Sequence, residues 1–185
     1  MSNGQDKPGR ILFLGIDGTV RKSVEELGRY VNGPEDVEVY PEVPEILDAY
    51  RKAGWRIVGV TNQGGIALGL VSQAQVAAAL SETQKQTGAR WDFIGVCPHH
   101  PEAEGGPRFT SCWCRKPLVG LLWQGAALVH EKQGERCPPD QCLMVGDMDS
   151  DRQCAANALV PFMWADVWRR DGWRQHLADT GAKTP

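Results

Sequence analysis

The sequence predicts an α/β protein built on a Rossmann-like, doubly wound, mainly parallel sheet with helices on both faces. Three observations predict it. Short apolar runs of strand character alternate with helix-length segments, the pattern of parallel strands joined by helical crossovers. Several of those runs stop abruptly at small polar loops, at Asp17-Gly18-Thr19, Thr61-Asn62-Gln63 and Gly146-Asp147. Open α/β sheets bind ligands outside the carboxyl ends of their strands, so such loops are where a site belongs. The chain has 185 residues, 42% of them apolar, enough for one domain with a sizeable core.

Taken in order, Arg10 to Leu14 reads as the first strand. Residues 18 to 40 contain Gly18, Gly28, Gly33 and Pro34 and read as loop. Pro41 and Pro44 open a helix through Tyr50 that Gly54 closes, because Pro suits the first helical turn and Gly the position past the last. Trp55 to Val60 is the second strand. Ser72 caps a helix running to about Gln86, with Ala and Leu on its inner face. Trp91 to Val96 is the third strand and runs straight into Cys97. Residues 97 to 114 are rich in Pro, Gly and Cys and read as irregular. Pro117 begins a helix to about Gln133, stopped by Gly134. Gln141 to Val145 is the fourth strand, Asp149 or Ser150 caps a helix through about Asn157, and Val160 to Trp164 is a short fifth strand. Asp166 to Leu177 reads as a last helix. Trp164, Trp168 and Trp173 have roughly helical spacing there, which points to packing against the core or a lid.

The expected organisation is a loose polar arm over residues 1–9, one domain over 10–178 and a polar tail over 179–185. The formal net charge is −3 with no long run of either sign. That offers no electrostatic grip for nucleic acid or for a membrane surface. The apolar runs are too short to span a bilayer, and the first ten residues lack the apolar core of a secretory signal. We expect a cytoplasmic monomer acting on a small molecule.

The most specific constellation is Cys97-x-His99 followed by Cys112-x-Cys114. Three thiolates and an imidazole form the ligand set of a closed, tetrahedral structural zinc site. A loop with so little apolar content cannot hold a shape by burial, and a metal tying its two ends would supply one. Alternation past Cys97 favours His99 as the fourth ligand, with the adjacent His100 as its competitor. Cys137, Cys142 and Cys154 show no such spacing and read as small, partly buried thiols.

Carboxylates mark the ends of two strands, Asp17 after the first and Asp147 after the fourth. Mg²⁺ takes hard oxygen ligands, commonly one or two carboxylates plus a phosphate. Asp149 and Asp151 can equally serve the start of the following helix. Thr61-Asn62-Gln63 offers a hydroxyl and free backbone N–H groups to a phosphate oxygen, and Arg115-Lys116 would aim two cations at an anion.

Four separated blocks then agree on one resemblance. They are Asp17-Gly18-Thr19, Thr61-Asn62-Gln63-Gly64-Gly65-Ile66, Cys97-Pro98-His99-His100-Pro101 with Cys112-Trp113-Cys114-Arg115-Lys116-Pro117, and Met144-Val145-Gly146-Asp147. The chain resembles the haloacid dehalogenase (HAD) phosphatases, within them the zinc-containing group of heptose-bisphosphate and histidinol phosphatases. The resemblance implies a sheet without a large cap domain, the zinc loop shaping the substrate pocket instead. It implies Mg²⁺-dependent hydrolysis of a sugar phosphate or similar phosphometabolite, through an aspartyl-phosphate. Asp17 would be the general acid/base and would offer its backbone carbonyl to Mg²⁺, with Asp147 as the side-chain ligand. Thr61, Asn62 and Lys116 would bind the phosphoryl group and Arg115 the remainder of the substrate. Two positions depart from the pattern: Gly15 stands where the family carries its nucleophilic Asp, and Met148 where relatives of the heptose enzyme carry Lys. The first predicts hydrolysis lost or reduced, with a phospho-ligand binding protein as the alternative. A histidinol phosphate or a nucleic-acid 3′-phosphate is the alternative substrate.

Overall fold

The computed structural model describes residues 7–28, 31–104 and 112–181. Five strands form one sheet: β1 (Ile11–Leu14), β2 (Arg56–Asn62), β3 (Phe93–Cys97), β4 (Leu143–Gly146) and β5 (Phe162–Trp164). Their order across the sheet is β3-β2-β1-β4-β5 and every pairing is parallel. The chain therefore reverses its direction of travel between β1 and β4, the place where an open sheet leaves a crevice for a ligand.

The strands are apolar on both faces because helices cover both. Leu12, Leu14, Ile57 and Val145 point to one face and pack with α1 (Val43–Lys52) and α2 (Gln73–Thr87), among Leu47, Tyr50, Trp55, Val76 and Leu80. Ile11, Phe13, Val58, Val60 and Met144 point to the other, against α3 (Gly120–Gln133) and α4 (Asp149–Asn157) through Leu121, Leu122, Val129 and Ala155. The alternation within Ile11–Leu14 is the period of two that a pleated strand imposes.

Helix boundaries follow local chemistry. Ser72 accepts from the Gln75 N–H at 3.2 Å while the Gln75 side chain takes the Ser72 N–H at 2.9 Å, a reciprocal cap on α2. Gly134 and Gly88 sit in the left-handed region just past α3 and α2. Two helix starts differ from expectation. Lys116–Pro117 is a cis peptide bond in a turn and α3 begins at Gly120. Asp149 lies inside α4, and it is Asp151 that takes the N–H of Met148, at 3.1 Å.

The C-terminal segment is not one regular helix. A short turn at Ala165–Val167 passes into a π-helical stretch at Trp168–Gly172 and then into α5 (Trp173–Asp179). Trp168 and Trp173 are five residues apart, the spacing that an i→i+5 turn places on one face, and both are buried in the same cluster. Trp164 stays partly exposed, so only two of the three tryptophans serve the core. The expected loop over 18–40 holds a short helix at Val24–Leu27 and a 3₁₀ turn at Pro34–Asp36. Lys7–Pro8, at the end of the expected arm, pairs in parallel with Glu135–Arg136. Residues 1–6 of that arm, residues 105–111 of the expected zinc loop and the last four residues lie outside the described residues. No helix among the described residues is long and apolar enough to cross a membrane.

Candidate active site

Register places the expected residues together. Leu14 pairs with Val145 across β1 and β4, and Asn62 with Cys97 across β2 and β3. The loops that follow therefore leave the same edge of the sheet side by side. Between them lies a cleft of about 320 Å³, lined by Asp17, Arg21, Thr61, Asn62, Gln63, Arg115, Lys116, Asp147, Met148 and Asp151 among others.

The loop after β1 is built around Asp17. Its Oδ1 accepts from Arg21 Nε at 2.8 Å and its Oδ2 from Gln63 Nε2 at 2.8 Å. Arg21 is 2% exposed and its Nη1 reaches Thr83 Oγ1 on α2 at 3.1 Å. Gln63 Nε2 also donates to Thr61 Oγ1 at 2.9 Å. Asp17 is thus fixed from two sides. From a distant part of the chain, Arg169 donates to the carbonyls of Gly18 and Thr19 at 2.8 and 3.0 Å. Gly18 has φ +72°, and a Cβ there would lie 1.9 Å from Asp147 Oδ2. The Asp-Gly pair thus permits both the turn and the approach of the second carboxylate. The N–H groups of Ile16 and Asp17 have no protein acceptor among the described residues.

Asp147 is half-buried, and Thr19 Oγ1 stands 3.5 Å from its Oδ1. Burial, reinforced by the negative charge of Asp151, pushes its carboxyl up to about 6. A carboxylate so short of donors suits a cation. Lys116, 8% exposed, donates to the Val60 carbonyl at 2.9 Å and pairs with Asp151 Oδ1 at 2.5 Å. Asn62 uses both atoms of its amide on the Lys116 backbone: Nδ2 donates to the carbonyl at 3.2 Å and Oδ1 accepts the N–H at 3.0 Å. Its contribution to the cleft is the placement of Lys116. Arg115 donates to the His99 carbonyl at 2.9 Å and forms no ion pair among the described residues. Met148 is 59% exposed at the cleft's wall.

Gly15 closes β1, its N–H donating to Val145 O at 2.9 Å. A Cβ at this position would meet Thr19 Oγ1 at 2.9 Å and Asp151 Oδ2 at 3.6 Å. The position adjoins Asp151, which lines the cleft, and its backbone is outside the glycine-only region.

Beside the cleft, Cys97, His99, Cys112 and Cys114 bring one ligand atom each to within 4.8 Å of one another. Cys97 Sγ lies 3.5 Å from His99 Nδ1 and 3.7 Å from Cys112 Sγ, and Cys114 Sγ lies 3.4 Å from His99 Nδ1. A tetrahedron with bonds of about 2.3 Å has edges of roughly 3.7 Å, so the donor set fits zinc in kind and spacing. His100 turns away, its Nδ1 accepting the Glu102 N–H at 3.2 Å. The Cys97 thiol is pushed up by burial and by the neighbouring sulfurs. For Cys112, burial is outweighed by donors such as the Arg115 N–H, 3.4 Å from its sulfur, and the thiol is lowered.

Sequence reasoning does not single out Arg21 or Arg169, and leaves Asp151 open between a helix-start role and a role in the site. Only the four-residue spacing of Asp17 and Arg21 was a local signal.

No family model matches the chain. Individual relatives do. The chain is 35% identical over 157 residues to the probable D-glycero-D-manno-heptose-1,7-bisphosphate 7-phosphatase of Thermoplasma volcanium, covering 83% of this chain and 96% of that one. It is 30% identical over 152 residues to the D-glycero-D-manno-heptose-1,7-bisphosphate 7-phosphatase of Chlorobaculum tepidum, covering 80% and 74%. Among solved structures, D,D-heptose 1,7-bisphosphate phosphatase from B. bronchiseptica, complexed with magnesium and phosphate, superposes with a TM-score of 0.66 at 25% identity, covering 94% of this chain and 88% of that one. The chain belongs to the HAD-like D-glycero-D-manno-heptose-1,7-bisphosphate 7-phosphatase family.

Proposed function

We propose that the cleft recognises a sugar phosphate or similar small phosphomonoester, and that hydrolysis is lost or strongly reduced because Gly15 replaces the attacking carboxylate. The observation that carries this reading is the contrast at the end of β1. Asp17, Thr61, Lys116 and Asp147 converge on one cleft, while the position beside them has no side chain. Lys116 and the N–H groups of Ile16 and Asp17 would hold the phosphoryl oxygens, as fixed donors hold developing charge. Thr61 would add its hydroxyl, and Arg115 would face the rest of the ligand. Asp17, aimed by Arg21 and Gln63, would serve the leaving-group proton. Mg²⁺ would be held by Asp147 and the Asp17 backbone carbonyl, and when bound it supplies positive charge against the phosphate. Zinc would be held by Cys97, His99, Cys112 and Cys114 as a structural ion.

Removing a covalent nucleophile costs roughly 10⁴- to 10⁶-fold in rate. Gly15→Asp is therefore expected to raise Mg²⁺-dependent phosphate release by about that factor on at least one member of a panel of sugar bisphosphates, histidinol phosphate and 3′-phosphorylated oligonucleotides. The best substrate would name the specificity. A folded, zinc-loaded variant that releases no phosphate from any of them would overturn the assignment of Gly15 as the disabled position.

A second reading, a binding protein that does not turn its ligand over, is favoured by the same glycine. Binding without release by the unsubstituted chain, and no gain from Gly15→Asp, would select it.

A further inference from the structure

Three carboxylates, Asp17, Asp147 and Asp151, and three cations, Arg21, Arg115 and Lys116, are the charged side chains lining the cleft. Two of the carboxylates are already neutralised within the protein. Asp17 is paired with Arg21 at 2.8 Å and Asp151 with Lys116 at 2.5 Å. Both cations are almost fully buried, so these pairs are screened little by solvent. The remaining charges are Asp147 and Arg115, one of each sign, and the formal sum is zero. An Asp at position 15 would make it negative, at the point where its Cβ would lie 3.6 Å from Asp151 Oδ2.

A phosphomonoester brings about −1.5 to −2 charges at neutral pH. Against a net negative cleft it needs a counter-charge, because like charges at close range repel strongly in a site shielded from water. Against this chain's neutral cleft it does not. It comes beside the Lys116–Asp151 pair, the Lys116 backbone being held by Asn62 and its ammonium by the Val60 carbonyl and Asp151, none of them a group at position 15. It also meets two backbone N–H groups, of Ile16 and Asp17, that have no protein acceptor among the described residues.

We propose that this chain binds a phosphomonoester dianion without a divalent cation, the glycine at position 15 having uncoupled anion binding from Mg²⁺. The inference rests on the cleft being a phosphoester site, as proposed above.

Calorimetry on the full, zinc-loaded chain tests it, with inorganic phosphate and glucose 1-phosphate as probes. The buffer is freed of Mg²⁺ by a chelating resin, zinc content is verified afterwards, and the titration is repeated with saturating Mg²⁺ at equal ionic strength. The affinities are expected to agree within about threefold, less than 1 kcal/mol at tenfold per 1.4 kcal/mol. Gly15→Asp is expected to bind at least about tenfold more weakly without Mg²⁺ than with it, and the neutral Gly15→Asn, which adds the bulk without the charge, to show no more than about a threefold gain from Mg²⁺. A larger than threefold gain from Mg²⁺ in the unsubstituted chain overturns the inference and leaves the phosphoester reading standing. No binding of either probe in either buffer overturns that reading and the inference together.

Discussion

The Cys/His corner and the carboxylate cleft sit at the same edge of the same sheet, and they are held together in different ways. In the corner the four donor atoms lie within 4.8 Å of one another, three of the pairs at 3.4 to 3.7 Å. Thiols gathered so closely depend on a cation to be stable as thiolates. In the cleft two of the three carboxylates have partners of their own: Arg21 for Asp17, Lys116 for Asp151. The first is a shape that a metal would make. The second is a shape that the protein makes, which is why the end of β1 can carry a glycine without the cleft's walls collapsing.

The largest effect expected of this difference is on the corner. Structural zinc in small domains binds with about 10–16 kcal/mol, so its loss removes whatever order the loop has. The purified chain is expected to carry equimolar zinc by elemental analysis, and Cys112→Ser to lose most of it. Cys112 is one of the three partly exposed residues of the cluster, so the substitution leaves the buried sheet end at Cys97 intact. Proteolysis should then cut near residues 98–114 while the far-ultraviolet dichroism of the sheet and helices persists. A zinc-free Cys112→Ser protein with an uncut loop would show that the loop is ordered by protein contacts alone.

The next effect is on the cleft and should have the opposite character, with no metal involved. Lys116 and Asp151 are both nearly buried, and removing one partner of a buried pair typically costs 3–5 kcal/mol because the other charge is stranded. Asp151→Asn is expected to destabilise by about that much in denaturant melts, with zinc content unchanged. Lys116→Met in the Asp151→Asn background should recover part of the loss, because no charge is then left uncompensated. If the double variant is no more stable than Asp151→Asn, the pair is not what holds this wall of the cleft.

How much of this could be read from the sequence follows the same division. The Cys97-x-His99 and Cys112-x-Cys114 spacing is local, and the four residues it singles out lie in one cluster. The strands, the Ser72 cap and the glycine stops are also local rules, and they placed four of the helices to within three residues. What stayed hidden depends on partners far apart in the chain. Asn62 meets the Lys116 backbone across 54 positions, and Arg169 meets Gly18 across 151. Asp151 looked like a helix-start residue because that is one of its roles: its Oδ2 takes the Met148 N–H. Its second role needs Lys116 to arrive from another loop. The π turn was hidden for a related reason. Trp168 and Trp173 do not share a face at 3.6 residues per turn, and it is the core that brings both inward.

The smallest effect reads the electrostatic cost of the cleft at one residue. Asp147 has a folded-state carboxyl raised to about 6 from an ordinary value of 3.8, by burial first and by Asp151 second. A raised carboxyl binds its proton more tightly in the folded state than in the unfolded one. Its contribution is therefore most favourable below the unfolded value and is lost as the pH rises through the folded value. At neutral pH Asp147 weakens the fold. After discounting for solvent screening at a partly exposed group, the cost is on the order of 1 kcal/mol. Asp147→Asn is expected to raise the melting temperature at pH 7 in Mg²⁺-free buffer and to leave it unchanged below about pH 4. Added Mg²⁺ should narrow the gap at pH 7, because a bound cation stabilises only the protein that still carries the carboxylate. A stability gain that is the same at pH 4 and pH 7 would mean that the substitution acts through packing and not through charge. In that case Asp147 would carry no electrostatic strain for a metal to relieve.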